Sequence, residues 1–227
     1  MAAPSGPAFL FDLDGTLVDS VYQHVLAWRE ALELGGIELS VWRIHRRIGM
    51  SGGLFLDALG RETGRRFTPE DVARIQQAHA AAFQRQVSQV RPLPGTRELL
   101  AYLSEAGVPW AIATSGRMES ARPMLEMLEI GPRVPVVTRD QVPHAKPDPD
   151  LFLAAAERLG ADPAGSVVIG DSVWDLLAAR RARALAVGLL SGGYGQDELE
   201  RAGAYRVYQD PADLLHHVDE VGVRFAK

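Results

Sequence analysis

A short apolar run that ends in two aspartates limits the possible folds of this chain more than any other stretch. Residues 8–11 have the composition of a buried strand, and Asp12 and Asp14 follow at once, with a glycine and a threonine next. Aspartate is depleted in strands and costly to bury without a partner. The stretch alone leaves two interpretations open: a strand before an ordinary Asp-Gly turn, or a strand that carries a charged site for a hard cation.

The composition is that of an ordinary globular protein with room for one large domain or two small ones. The chain has 227 residues, 47% of them hydrophobic and 23% charged, with a net charge of -5. This mild negative charge argues against an extended nucleic-acid surface. The absence of cysteine excludes disulfides, thiolate metal sites and a cysteine nucleophile. The sequence shows no leader-like segment and no apolar run of bilayer length, so we expect a soluble, cytoplasmic protein without membrane contacts.

Two patterns divide the chain. Residues 18–90 show only the apolar spacing of helices, whereas residues 91–227 alternate between strands and helices. The predicted strands after the first are 110–113, 134–138, 166–169 and 185–187, and a final helix is expected over 210–221. Strands that alternate with helices form parallel sheets with right-handed crossovers. We therefore predict an α/β protein with a catalytic core of residues 1–17 and 91–227 and a helical cap of residues 18–90.

Charged and hydroxyl side chains follow the predicted strands. They are Asp12 and Asp14 after the first strand, Thr114 and Ser115 after the second, Lys146 ahead of a later helix, and Asp171 with Asp175 after the 166–169 strand. Parallel sheets bind ligands in the crevice beyond the carboxyl ends of their strands. These side chains should therefore meet in one crevice, with the inserted helices over it as a lid.

This set of side chains is suited to phosphoryl transfer. Clustered carboxylates repel one another, and Mg²⁺ removes the repulsion while binding a few carboxylates together with water or phosphate oxygens. Lys146, the Thr114 hydroxyl and the backbone N–H groups beyond it can hold a phosphate. Asp12, the first residue beyond the strand, is expected to be the nucleophile. Asp14, on the same side of the extended chain, is expected to act as general acid and base.

Four ordered motifs resemble those of the haloacid dehalogenase superfamily. They are Asp12-Leu-Asp-Gly-Thr, Thr114-Ser115 after a strand, Lys146-Pro-Asp-Pro, and Gly170-Asp171-Ser-Val-Trp-Asp175. With the helical insertion after the first motif, the chain is similar to the branch that includes phosphoglycolate phosphatases and beta-phosphoglucomutases. The resemblance covers essentially the whole chain. It implies a Rossmann-like parallel sheet core with an inserted four-helix cap domain.

The resemblance also implies roles for the matching carboxylates. Asp12 would be the nucleophile and a Mg²⁺ ligand. Asp14 would be the acid and base, and would bind Mg²⁺ through its backbone carbonyl. Asp171 would bind the metal, and Asp175 would be a further ligand or a support, although an acid at that position also favours the start of a helix.

The same resemblance implies the phosphate contacts. Thr114 and Lys146 would hold the phosphoryl group, and Lys146 would also serve catalysis directly. Ser115 is a candidate contact through its N–H, and is equally well explained as a turn former. Gly116 is a candidate whose backbone geometry alone would also account for a glycine.

The cap offers two further candidates for substrate binding, His24 and Arg47. His24 lies on an apolar helix face, where a structural role is the alternative. Arg43, Arg46 and Arg47 share one helix face. One of them aimed into the crevice would bind an anionic group bidentately, whereas a solvated face is the simpler interpretation.

Several features of the sequence indicate which reaction of the superfamily this chain catalyses. Dehalogenases of the superfamily lack an acid at the position of Asp14, and the phosphonatases use a cap lysine that residues 18–90 do not contain. The first cap helix, with His24, is similar to that of the mutases. Gly52, however, stands where the mutases carry an arginine for a second phosphate, which favours hydrolysis.

We therefore expect a Mg²⁺-dependent phosphatase that hydrolyses a small phosphorylated metabolite through an aspartyl-phosphate on Asp12. The alternatives are a sugar phosphomutase and a non-catalytic binding protein of the same fold. We expect no nucleic-acid or membrane partner, and a monomer or a homodimer.

Overall fold

A sheet of six parallel strands carries the fold of residues 7–222, the residues that the computed structural model describes. The strands, with a separate short pair, are β1 Phe9–Phe11, β2 Val18–Asp19, β3 Arg91–Pro92, β4 Trp110–Ala113, β5 Val136–Val137, β6 Val167–Gly170, β7 Leu185–Leu189 and β8 Arg206–Tyr208. The spatial order in the sheet is β5-β4-β1-β6-β7-β8.

The register of the central strands determines where the site forms. Phe11 at the end of β1 pairs with Ile112 of β4 on one side and with Ile169 of β6 on the other. The backbone N–H of Asp12 extends this pairing and donates to the Ile169 carbonyl over 2.9 Å. Residues that follow β1, β4 and β6 therefore emerge side by side at one edge of the sheet.

Helices cover both faces of the sheet. The α-helices are α1 Val21–Leu34, α2 Val41–His45, α3 Gly52–Thr63, α4 Pro69–Gln84, α5 Thr96–Glu105, α6 Met118–Met127, α7 Asp150–Leu159, α8 Val173–Ala182, α9 Gln196–Ala202 and α10 Pro211–His216. Phe9 and Phe11 pack with α5, α6 and α10, whereas Leu10 packs with α7, α8 and α9. This alternation follows from the two-residue period of a strand that is buried on both faces.

Helices α1–α4 form a separate apolar cluster within residues 18–90, which we term the helical insertion. Its helix starts follow from capping chemistry. Ser51 accepts a hydrogen bond from the Leu54 N–H at the start of α3, and Thr68 and Asp71 form a capping box at the start of α4. The antiparallel pair β2–β3 joins the two ends of the insertion.

The expected α/β class and parallel sheet are confirmed, with local differences. The predicted strand 134–138 shortens to Val136–Val137, and the expected final helix divides into α10 and a 3-10 turn. Strand β8 and helix α9 were not predicted, and residues 18–19 form a strand where only helix was expected. The division at residues 17/18 and 90/91 stays a prediction. Within residues 7–222, no helix has the length and apolarity needed to cross a lipid bilayer.

Candidate active site

A buried lysine holds two carboxylates together beyond the ends of β1 and β6. Lys146 is fully buried, and its Nζ contacts Asp12 Oδ1 and lies 2.8 Å from Asp175 Oδ1. Asp175 also caps α8, because its Oδ2 accepts from the Ser172 N–H at 3.1 Å and from the Ser172 hydroxyl at 2.5 Å. Asp175 is therefore fixed both by its own helix and by the lysine.

Asp171 completes a cluster of three buried carboxylates. One oxygen each of Asp12, Asp171 and Asp175 can be chosen so that all three lie within 4.8 Å of one another. The Thr16 hydroxyl donates to Asp171 Oδ1 at 3.0 Å. A Cβ added at Gly192 would lie only 1.8 Å from Asp171 Oδ2, so the absence of a side chain there lets the backbone approach the carboxylate.

The electrostatics of this cluster favour a bound cation. Burial, with the neighbouring carboxylates, raises the pKa of Asp12 to about 7 even though Lys146 opposes the shift. Burial and the charges of Asp175 and Asp12 likewise raise the pKa of Asp171 well above its ordinary value. Burial would lower the pKa of Lys146, but Asp12 and Asp175 outweigh it and raise that pKa. Lys146 supplies one positive charge beside three carboxylates, which leaves excess negative charge. The donor atoms are all oxygens, and such a set suits a hard divalent ion.

The turn after β4 adds groups suited to phosphate. Thr114 is buried, and its hydroxyl oxygen accepts from the Gly116 N–H at 3.0 Å. The Ser115 hydroxyl is buried without a hydrogen-bond partner anywhere in residues 7–222. A buried hydroxyl without a partner is costly, so this side chain is available to a ligand.

Asp14 faces the helical insertion rather than the carboxylate cluster. Its Oδ1 accepts from the Ser20 hydroxyl at 2.6 Å and lies 3.0 Å from His24 Nε2. The other ring nitrogen of His24 lies 3.2 Å from Nε2 of His79. Burial alone would raise the pKa of Asp14, but His24 and the Ser20 hydroxyl outweigh it and lower that pKa.

His79 is a half-buried partner in this chain of contacts. Burial, reinforced by the nearby charge of His24, lowers the pKa of His79 well below its ordinary value, although Asp14 acts in the opposite direction. The His79 ring stacks on Trp28 with centroids 4.2 Å apart, and the His24 ring stacks on Phe83 at 3.8 Å. Helices α1 and α4 therefore fix the position of the ring beside Asp14.

A cleft of about 390 Å³ lies between this site and the helical insertion. One wall is lined by Asp12, Asp14 and the 114–116 turn. The other wall is lined by His24, Trp28 and residues 48–53. The sheet therefore brings Asp12, Lys146, Asp171 and Asp175 together, and the cleft adds Asp14, Thr114, Ser115, Gly116 and His24.

Arg47 lies apart from these residues. It pairs with Glu62, as Arg43 does, and it donates to the Arg43 carbonyl. Arg46 pairs with Glu198 and stacks over Tyr194. These arginines do not appear among the residues that line the cleft within the described chain.

Sequence reasoning missed two cleft residues on α4, Gln76 and His79. They are three residues apart, and Ala80 and Phe83 complete the same helix face. The available signal was this helical spacing. Arg117 and Arg139, at the core side of the cleft mouth, were also missed.

Comparison with known proteins agrees with this geometry. Residues 7–183 match the model of a hydrolase family described as haloacid dehalogenase-like hydrolase. The probable phosphatase IndB of Dickeya dadantii is 36% identical over 202 residues, 86% of each chain. The beta-phosphoglucomutase of Bacillus subtilis is 29% identical over 214 residues, 91% of each chain.

A solved structure gives the same result. The crystal structure of a hydrolase from Pseudomonas syringae is similar with a TM-score of 0.93 at 55% sequence identity, and the match covers 96% of this chain and 100% of the other. The matched region includes the buried carboxylates and the helical insertion. The chain belongs to the haloacid dehalogenase-like hydrolase family.

Proposed function

We propose that this chain is a Mg²⁺-dependent phosphatase that hydrolyses a small phosphate monoester through an aspartyl-phosphate on Asp12. Its class, a phosphoric monoester hydrolase, follows from the family and from relatives named as phosphatases. The observation that carries the mechanism is the buried cluster of Asp12, Asp171, Asp175 and Lys146 at the base of the cleft.

The carboxylates of Asp12 and Asp171 and the backbone carbonyl of Asp14 would hold the metal ion, with Asp175 beside them. When bound, Mg²⁺ neutralises the carboxylate cluster and the charge of the phosphoryl oxygens. Lys146 adds a fixed positive charge on the other side of Asp12. The raised pKa of Asp12 is then lowered by the added charge, so Asp12 is ionised and able to attack.

The reaction proceeds in two displacements. An Asp12 carboxylate oxygen bonds to phosphorus while the bond from phosphorus to the ester oxygen breaks, and Asp14 gives that oxygen a proton. Asp14 then takes a proton from water as the water oxygen attacks the same phosphorus. Phosphate leaves, and the Asp12 carboxylate is restored. The lowered pKa of Asp14 suits the base step. The proton that Asp14 takes from water is the one it gives to the ester oxygen of the next substrate, and the adjacent His24 ring holds the carboxylate in position.

The phosphoryl group would be held by Lys146, the Thr114 hydroxyl and the unpartnered Ser115 hydroxyl. The helical insertion would act as the cap that excludes water during transfer. Its contact with Asp14 through His24 connects closure to the acid and base.

A sugar phosphomutase is the second candidate, because a beta-phosphoglucomutase is among the relatives. A mutase must hold a second phosphate on the cap side. Gly52 offers no side chain for this, and a Cβ there would lie 3.1 Å from the Trp28 ring. Arg43 and Arg47 are already paired with Glu62. These contacts favour hydrolysis.

The deciding experiment measures phosphate release from a panel of phosphate monoesters, with Mg²⁺ and with chelator, for the wild type and for Asp12→Asn. We expect release that needs both the metal and Asp12, with at least about a thousandfold loss in the variant. Circular dichroism should show that the variant keeps its fold, because asparagine has nearly the same shape.

Three results would contradict the proposal. Undiminished release by Asp12→Asn would exclude the aspartyl-phosphate. Release from no ester, with turnover of a sugar phosphate only when a sugar bisphosphate is added, would identify a mutase. A protein that binds the esters without either reaction would be a non-catalytic member of the fold.

A further inference from the structure

The wall of the cleft formed by the helical insertion carries no arginine or lysine among the described residues. It consists of aromatic, amide, hydroxyl and apolar side chains and of backbone at glycines. Within residues 18–90 there is no lysine, and the nine arginines lie elsewhere. The leaving group of a phosphate ester would therefore contact a wall without a permanent cation.

Three arginines of the helical insertion are already paired with glutamates. Arg43 and Arg47 share Glu62, and Arg46 pairs with Glu198. Freeing Arg46 would leave Glu198 without this partner, and freeing Arg43 or Arg47 would leave Glu62 with one arginine instead of two. The arginines of the insertion are thus used to hold its helices and to fasten it to the core.

The two histidines of this wall add no free positive charge. His79 is half-buried between Trp28 and His24, and this environment lowers its pKa well below the ordinary value, which favours the neutral ring. His24 lies 3.0 Å from the carboxylate of Asp14, so any charge on its ring is balanced. A carboxylate on the leaving group would find neither ring available as a counter-ion.

The core side of the mouth has two arginines, and both have other partners. Arg117 lies 3.7 Å from Asp140 and is 67% exposed, so solvent weakens its attraction for an anion. Arg139 donates to the Val142 carbonyl at 2.6 Å, which holds its guanidinium on the core side of the mouth, away from the insertion wall, without neutralising it. Because Asp140 lines the same mouth, an incoming carboxylate would also meet a negative charge.

Uncharged hydroxyl groups on the leaving group would, by contrast, find a hydrogen-bonding partner on this wall. No residue of the described chain hydrogen-bonds to the side-chain amide of Gln76, which both donates and accepts. This amide lies over the start of α3, where a Cβ at Gly52 would be 3.3 Å from Gln76 Nε2. The Trp28 ring beside it is 6% exposed and stacked on His79, so it presents an apolar edge to the cleft.

From this wall we infer that the preferred substrates are monophosphates of an uncharged, polyhydroxylated group, a sugar or a polyol, and that Gln76 and Trp28 contact that group. The inference rests on the proposed phosphatase function and deepens it. It disfavours esters whose leaving group carries a carboxylate, because that charge would lose water against the wall of the insertion without gaining a cation there.

Matched substrates test the inference directly. Glycerol 3-phosphate and 3-phosphoglycerate differ by a hydroxymethyl group against a carboxylate, as do glucitol 6-phosphate and 6-phosphogluconate. We expect kcat/KM to be at least about tenfold higher for the hydroxyl member of each pair. Equal values, or a preference for the carboxylates, would overturn the inference. The loss of such a preference in Arg117→Gln would place a carboxylate site at the mouth instead.

A second test adds a positive charge to the wall formed by the insertion. Gln76→Arg should raise kcat/KM for 3-phosphoglycerate relative to glycerol 3-phosphate about tenfold. Gln77→Arg is the matched control, because Gln77 is exposed on the neighbouring face of the same helix and should leave the ratio unchanged. Equal ratios in the two variants would count against a leaving-group contact at Gln76.

p-Nitrophenyl phosphate separates this inference from the proposed function. Its hydrolysis together with equal rates on the matched pairs would overturn only the leaving-group inference. No phosphate from any of the five compounds, with Mg²⁺ present, would overturn both.

Discussion

The two walls of the cleft hold their chemistry in different ways. On the core wall, Asp12, Lys146 and Asp175 are buried charges fixed to one another at the ends of adjacent strands. On the opposite wall, Gln76 and Trp28 are uncharged side chains on two packed helices. Under the proposed function, the core wall would bind the phosphoryl group of any ester, whereas the opposite wall would meet only the part of the substrate that differs between esters.

This difference separates catalysis from specificity within one molecule. Changing a core residue leaves other buried charges unpaired, so its cost is large and general. Changing a residue on the opposite wall alters contacts with one leaving group, and its cost depends on the substrate. Such a division would let relatives of one fold act on different esters with the same set of carboxylates.

Asp14 lies between the two walls, and its substitution should change the rate more than the two glycine substitutions described below. Asp14→Asn removes the proton donor for the ester oxygen, so kcat on an alkyl phosphate such as glycerol 3-phosphate should fall by about 10²–10⁴. p-Nitrophenyl phosphate, whose phenolate leaves without a proton, should lose far less in the first displacement. Steady-state rates on the two esters, with burst kinetics to isolate that step, measure the difference.

Ser20→Ala is the matched control for Asp14→Asn. It removes the hydrogen bond to Asp14 Oδ1 and keeps the carboxylate. Its effect should be smaller and should depend less on the leaving group. Equal losses on both esters in Asp14→Asn would refute the acid role.

A second prediction compares a glycine from each wall. In Gly192→Ala the new methyl group would collide with Asp171, because a Cβ there lies 1.8 Å from its Oδ2. Displacing that carboxylate should raise the Mg²⁺ concentration needed for half-maximal activity by about 10–100-fold. In Gly53→Ala the nearest atom, Gln76 Nε2, is 3.9 Å from the added Cβ, so the Mg²⁺ requirement should stay as in the wild type.

Magnesium titrations of activity for the two variants decide this prediction. If Gly192→Ala titrated as the wild type does, Asp171 would not be a metal ligand. If Gly53→Ala were equally impaired, metal binding would depend on the opposite wall as much as on the core, and the contrast between the walls would fail.

The two walls also differ in how well the sequence predicts them. The carboxylates follow apolar strands directly in the sequence, and parallel pairing in register places every strand end at one edge. The position of Asp12 beside Asp171 therefore follows from local sequence and one topological rule. Helix α5 and strand β4 were equally predictable, because both have clear apolar periods and glycine ends.

Residues on the opposite wall could not be placed in this way. Which face of α4 meets the cleft depends on how four helices pack, through many weak contacts with no single dominant one. Gln76 and His79 are polar, so their residue types alone predict a solvent-facing position. Strand β8 was missed for a related reason: three residues at the edge of the sheet, one of them an exposed arginine, carry little apolar signal.

The smallest expected effect is an opposite pH dependence of stability on the two walls. His79 has a lowered pKa, so below about pH 6.5 the unfolded chain binds a proton that the native state does not. Stability should therefore fall as the pH falls, by up to about 1.4 kcal/mol per pH unit. Asp12, with a pKa raised to about 7, keeps its proton in the native state above pH 3.8, so without metal it makes stability fall as the pH rises.

Urea unfolding of the metal-free protein at several pH values between 5 and 7.5 tests this contrast. His79→Gln and His79→Phe should both make stability less sensitive to acid, since neither side chain titrates, although only phenylalanine can replace the stack on Trp28. Asp12→Asn should change the slope in the opposite direction, and Mg²⁺ should suppress the contribution of Asp12 in the wild type because the ion holds that carboxylate ionised. A slope in both His79 variants parallel to that of the wild type would mean that His79 takes up a proton in the native state as readily as in the unfolded chain. The opposite wall would then carry a positive charge at acidic pH, able to attract a carboxylate.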